Sequence, residues 1–144
     1  MLVSHVLAQK GDLVVTIHPD TSLAHAARQL ADYGFGALVA SSDGSSIAGI
    51  VSERDIVRRI AAHGAAALDV PVRSVMIRDV VTCRPGDTLD HLMRLMTEGR
   101  FRHVPVVENG VMRGMVSIGD VVKRRVEELE TETRELQNYL ASGA

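Results

Sequence analysis

Gly49-Ile50-Val51-Ser52-Glu53-Arg54-Asp55-Ile56-Val57-Arg58-Arg59 returns later in the chain as Gly114-Met115-Val116-Ser117-Ile118-Gly119-Asp120-Val121-Val122-Lys123-Arg124. The chain is a tandem repeat. In each copy a short β-branched run meets Ser-x-x-Asp and continues as a helical pattern, so the repeated unit places a serine and an aspartate at a strand-to-helix junction. Working upstream, Val15-Thr16-Ile17-His18-Pro19 pairs with Val81-Thr82-Cys83-Arg84-Pro85. Leu23 then meets Leu89, His25 meets His91, Leu30 meets Met96 and Phe35 meets Phe101, before one residue is lost from a loop. A repeat of this length is a supersecondary unit whose apolar face needs its twin for burial, so the two copies form one module.

Composition narrows the function classes. The 144 residues suit one globular domain, and the formal charge of −2 carries no dominant basic stripe, which argues against nucleic acid as a partner. With two Tyr, two Phe and no Trp, the core is aliphatic and base-stacking platforms are not expected. No run approaches the roughly 20 apolar residues of a membrane-spanning helix. The single cysteine rules out an internal disulfide, and the N-terminus lacks the pattern of a secretory signal, so a cytoplasmic location is expected.

Leu13 to Ile17 reads as a strand stopped by Pro19. Asp20-Thr21-Ser22 caps a helix through Tyr33, and Gly34 ends it. Gly36 to Ala40 and Ile47 to Ser52 read as strands separated by the turn Ser41-Ser42-Asp43-Gly44-Ser45-Ser46, and a helix follows from Glu53 to His63. The second copy repeats this order from Val80 to Val126. Val72, Val75 and Met76 in the linker echo Val3, Val6 and Leu7, so each copy is expected to begin with a helical lead-in. The divisions are residues 1–64 for the first repeat with its lead-in, 65–126 for linker and second repeat, and 127–144 for a C-terminal helix. In that tail Val126, Leu129, Thr133, Leu136 and Leu140 share one seam, which either packs on its own domain or pairs with a second copy.

Ser52 with Asp55, and Ser117 with Asp120, have the spacing of a helix cap, and duplication would copy a cap as readily as a binding site. The same groups also suit a nucleotide: N–H groups at a helix N-terminus attract phosphate, and an acceptor-only carboxylate suits ribose hydroxyls. Cys83 lies on an expected strand and reads as a buried small thiol, not a nucleophile. His25 and His91 match by duplication, with no metal-ligand spacing around them.

The paired Val-Thr-x-x-Pro starts, His103-Val104-Pro105-Val106-Val107 and the two Gly-h-h-Ser-x-x-Asp ends (h, hydrophobic) resemble the tandem CBS (cystathionine β-synthase) domain pair, or Bateman module, over Val3 to Val126. The resemblance implies an α/β (α+β) fold of two βαββα repeats about a pseudo-twofold axis, followed here by the C-terminal amphipathic helix. It implies two clefts for adenine nucleotides (AMP, ADP, ATP or NAD(H)) and a homodimer, with the regulated effector unspecified. Carried over, Asp55 and Asp120 hold ribose, and Ser52 and Ser117 lie near ribose or phosphate. Adenine lies against Val15, Thr16 and Ile17 with Ala37 and Leu38, or against Val81, Thr82 and Cys83 with Val104 and Pro105. Arg102 and His103 contact phosphate in the second cleft, with Arg54 a candidate in the first. Because Gly36 and Ala37 stand where the second copy has Arg102 and His103, the second cleft is expected to be the stronger. The function implied is a non-enzymatic energy or redox sensor in signal transduction. A structural dimeriser with vestigial clefts and a nucleotide-modifying enzyme are the alternatives.

Overall fold

A computed structural model of the chain describes residues 1–11 and 13–143. Helix α1 (Val3–Lys10) precedes a first unit of β1 (Thr16–Ile17), α2 (Leu23–Tyr33), β2 (Ala37–Ala40), β3 (Gly49–Ser52) and α3 (Glu53–His63). The second unit contains α4 (Leu89–Gly99), β4 (His103–Glu108), β5 (Val111–Ser117) and α5 (Ile118–Ala141). In the first unit β1 runs parallel to β2, and β2 pairs antiparallel with β3. In the second, β4 pairs antiparallel with β5, and the expected opening strand shrinks to one parallel bridge from Cys83 to Val106. The α+β architecture of two matched units is the one expected. The first strand is shorter than its β-branched run, because Leu13 stays 68% exposed and the ladder begins at Thr16.

Local chemistry sets the helix ends. The Ser22 hydroxyl accepts from the His25 N–H, and Thr88 does the same for His91, so the matched histidines mark equivalent cap positions. Gly34 closes α2 at φ 68°, a left-handed conformation that glycine adopts at little cost. The second unit puts Arg100 there, at φ 56°. Between β2 and β3, Oδ1 of Asp43 accepts from the backbone N–H groups of Ser45 and Ser46 and from the Ser46 and Ser41 hydroxyls. Those bonds, the backbone N–H of Ser46 foremost, hold the Asp43 carboxyl well below its usual range.

Each unit has its own aliphatic core, and each core is completed from elsewhere in the chain. Ile17, Leu23, Leu30, Leu38, Val51 and Ile56 pack with Val72 and Met76 of the linker. Cys83, Leu89, Leu92, Val104, Val116 and Val121 pack with Val3 and Val6 of α1. The lead-ins are therefore exchanged. The N-terminal one covers the second unit, and the linker, which forms 3₁₀ turns at Gly64–Asp69 and Val72–Ser74, covers the first. The repeated glycines explain the seating. A Cβ at Gly49 would fall 2.7 Å from Met76 Sδ, and one at Gly114 would fall 2.7 Å from Leu7 Cδ2. At Gly49 a side chain would also meet the Ile77 carbonyl at 2.9 Å and so displace the linker backbone, whereas at Gly114 the tip of Leu7 would have to move aside.

The tail does not form a separate helix. α5 continues unbroken from the Ser117 cap through Ala141, and every described residue from Leu129 onward is exposed. From Leu129 onward the seam thus packs on nothing among the described residues.

Candidate ligand-binding clefts

Both Ser-x-x-Asp junctions form capping boxes. The Ser52 N–H and hydroxyl donate to Asp55 Oδ2, each at 2.9 Å, and the Asp55 N–H donates back to Ser52 Oγ at 3.2 Å. In the second unit the Ser117 N–H donates to Asp120 Oδ2 at 2.8 Å, and the Asp120 N–H returns to Ser117 Oγ. The cap reading of the motif is therefore correct in both copies. Capping leaves Oδ1 of Asp55 without a hydrogen bond among the described residues. A cap and a ligand site can coexist on one carboxylate.

The surroundings of the two acids differ. Asp55 stands in a cleft of about 470 Å³, within the range of small-molecule sites, lined from the first unit by Gly36, Ala37, Ile50, Ser52, Glu53, Arg54, Val57 and Arg58. Ile77 of the linker and Arg100, Phe101, Arg102 and His103 of the second unit complete it. Four arginines face two carboxylates there, an excess of positive charge. The helix end contributes less than expected, because the Glu53 N–H donates to Gly36 O and the Asp55 N–H to Ser52 Oγ. The arginines carry the attraction for an anion.

Asp120 borders a hollow of only about 160 Å³ with Val6, Gln9, Lys10, Lys123 and Arg124. Lys10 Nζ lies 2.6 Å from Asp120 Oδ2 and 2.7 Å from the Met115 carbonyl. Burial raises the Asp120 carboxyl, but the Lys10 hydrogen bond and the Ser117 N–H outweigh it and hold the group below its ordinary range. The second acid is already paired.

This arrangement moves the expected phosphate contacts. Arg102 and His103 were expected beside Asp120, yet they line the cleft of Asp55, because β4 begins where the two units meet. His103 occupies the register position opposite Ser117 that Ala37 occupies opposite Ser52. A Cβ on Gly36 would lie 2.8 Å from His103 Nε2, so the glycine makes room for the imidazole. Burial lowers the His103 pKa from 6.5, with Lys10 and Arg102 acting in the same direction against Glu53 and Asp120.

The expected adenine contacts are largely interior. Ile17, Leu38, Cys83 and Val104 are core side chains, while Thr82 and Cys83 border a separate open hollow with residues 84–87 and 107–110. Val15 packs against the first core, Val81 is exposed, and Thr16 lies in the β1 ladder. Pro105 is buried within β4. Ala37 alone of that set lines the Asp55 cleft, where the apolar walls are Ile50 and Ile77. These two pair through backbone hydrogen bonds of 2.9 and 3.0 Å. Ile50 sits inside the repeated motif, but no local pattern announced Ile77, which reaches the cleft only through the linker's return to β3. Arg58 was also missed as a cleft residue, and Arg100, which could equally have been a solvated surface charge, lines the cleft as well. The signal for Arg58 is its place one helical turn after Arg54 on α3.

Two matched units, βαββα in the first and with the opening strand reduced to a bridge in the second, each with a serine-aspartate helix start, define a paired-repeat α+β module. The chain belongs to the CBS domain family, which residues 11–62 and 72–127 each match. The crystal structure of the CBS-domain protein ATU1752 from Agrobacterium tumefaciens is 48% identical with a TM-score of 0.84, covering 87% of this chain and 99% of that one. CBSX3 of Arabidopsis thaliana, a CBS domain-containing protein named as mitochondrial, is 35% identical over 128 residues. That match takes in 86% of this chain but 62% of the relative, so this chain spans less than two thirds of its length. The CBS pair of MJ0100, 23% identical with a TM-score of 0.78 over 89% of this chain and 98% of its own, shares the fold. It was solved in complex with 5′-methylthioadenosine and S-adenosyl-L-methionine. No helix among the described residues is long and apolar enough to cross a membrane.

Proposed function

We propose that this chain is a regulatory module that binds a phosphate-bearing adenine nucleotide (AMP, ADP, ATP or NAD(H)) in the cleft of Asp55. The observation that carries the reading is the meeting there of Asp55 from one repeat with Arg100, Arg102 and His103 from the other. Asp55 would accept ribose hydroxyls, the arginines would neutralise phosphate, and Ile50 and Ile77 would flank the base. The adenosine-derived ligands of the MJ0100 pair lend support. A ligand touching both repeats favours the arrangement in which they close on it, and the shift is bounded by its affinity difference between the two arrangements. We read the active species as a homodimer that presents this change to an effector protein.

We also read the chain as a binder and not an enzyme. Its one cysteine is buried, and burial, reinforced by Asp87, pushes the thiol up to about 12, far from a reactive thiolate.

The test is a thermal-shift and calorimetric screen against AMP, ADP, ATP, NAD+, NADH and S-adenosylmethionine. A cognate ligand at a hundred times its Kd stabilises by about 2.7 kcal/mol. Unchanged melting with every nucleotide at millimolar concentration removes the sensor reading, and product formation from any of them would make the protein an enzyme.

A further inference from the structure

The second half of α5 lacks the partner that its sequence requires. A helix in water owes most of its stability to burial of its apolar face, yet Leu129, Leu136 and Leu140 are 50%, 60% and 65% exposed. The family match ends at residue 127, so this segment is an extension beyond the CBS pair. Its seam begins on the body of the module, where Val122 and Val126 are 55% and 47% exposed, and runs on without a break through Leu140. At 1.5 Å per residue it spans about 28 Å.

We propose that α5 is one strand of a parallel, two-stranded coiled coil formed with a second copy of this chain. The alternating spacing of Val122, Val126, Leu129, Thr133, Leu136 and Leu140 assigns Val126, Thr133 and Leu140 to a positions and Val122, Leu129 and Leu136 to d positions, so the central layers from Val126 to Leu136 carry β-branched residues at a and leucine at d. β-branched a residues with leucine at d favour two parallel strands. Charge selects the same orientation. Arg125 falls at g and Glu130 at the following e, the positions that meet across a parallel pair, and Glu130 makes no ion pair among the described residues. Arg125 now pairs with Glu128 of its own helix, at 3.1 Å, in an exposed contact that costs little to exchange. An antiparallel pairing over the same seam would instead bring Glu132 close to its own copy. The proposal is independent of what the clefts bind.

Sedimentation equilibrium of the full chain tests it. Leu129→Asp with Leu136→Asp, both at exposed positions, is expected to weaken dimerisation at least tenfold while leaving thermal unfolding of the body unchanged; undiminished dimerisation overturns the proposal. Arg125→Glu is expected to weaken the dimer, and adding Glu130→Arg to restore it within about twofold by exchanging the pair. Failure of the exchange to restore it overturns the parallel register. As a second measurement, Leu136→Cys is expected to give a covalent dimer under mild oxidation, since the native Cys83 is buried. Monomer alone on a non-reducing gel would overturn the pairing.

Discussion

Lys10 and Asp120, 110 residues apart in sequence, are joined by a 2.6 Å hydrogen-bonded ion pair, whereas Asp55, the equivalent of Asp120, stands in an open cleft among arginines. The exchange of lead-ins produces this asymmetry. Helix α1 lies on the second unit and ends in Lys10 beside Asp120. The residues that seat the linker on the first unit end at Met76-Ile77, which supply an apolar wall and no cation.

Asp55→Asn is expected to remove most of the nucleotide-induced thermal shift and weaken binding at least tenfold. The amide oxygen can still accept the Ser52 N–H, so stability changes by less than about 1 kcal/mol. Asp120→Asn is expected to leave affinity within about twofold. Calorimetry on both variants decides the matter, and the opposite pattern would return the site to the second unit.

Removing the lysine tests the occlusion. Lys10→Ala frees Asp120, and calorimetric stoichiometry is expected to rise from one nucleotide per chain toward two, with a stability change of about 1 kcal/mol for a half-buried pair whose lysine reaches solvent. A stoichiometry that stays at one would show that the hollow beside Asp120 is closed by more than the lysine.

Arg100 separates binding from stability. Its left-handed backbone is the conformation that Gly34 adopts in the first unit. Arg100→Gly relieves that strain and adds unfolded-state entropy, so stability is expected to stay within about 1 kcal/mol of the parent. Nucleotide affinity is expected to fall as a phosphate contact is lost. Urea unfolding measures the first effect and calorimetry the second, and unchanged affinity would remove Arg100 from the site.

Gly36→Ala drives a Cβ into His103 and is expected to cost about 1–3 kcal/mol unless the imidazole moves. Combining it with His103→Ala is expected to recover most of the loss. A double variant no more stable than Gly36→Ala alone would show that the glycine is needed for some other contact.

His103 sets a pH dependence of known sign. Burial lowers its folded-state pKa from 6.5, so above that pH folded and unfolded chains are both neutral there and the group contributes no slope. Below it the unfolded chain takes up a proton that the folded chain resists, and stability is lost as pH falls toward the depressed folded value. Unfolding free energies at pH 7.5, 6.5 and 5.5 are expected to drop over the last step, and His103→Gln is expected to flatten that drop. An unaltered slope in the variant would assign the dependence to another group.

The repeat, the bounds of α2 and α3 and both capping boxes were legible in the sequence because each depends on residues within one or two helical turns. Ser22, Gly34 and Ser52 act on neighbours three or four positions away. The opening strands were less legible. The same β-branched run yields a two-residue strand at Thr16–Ile17 and a single bridge at Cys83, since strand length depends on how far the partner strand extends alongside. The site was legible in its acids and serines, but not in its base-facing wall, because Ile77 reaches the cleft by pairing with Ile50 after the linker has crossed the first unit.

The sequence by itself determined that there are two equivalent units, that each ends in a serine-aspartate helix cap, and that a long amphipathic helix follows, because periodicity and capping are local. Only the tertiary structure decided which acid is open. Arg100, Arg102 and His103 belong by sequence to the repeat of Asp120 but line the cleft of Asp55, and Lys10 precedes the repeat of Asp55 but pairs with Asp120. Two facing units with exchanged lead-ins bring each acid against residues from elsewhere in the chain, and a repeat pattern, which aligns the copies with each other, carries no record of what crosses between them.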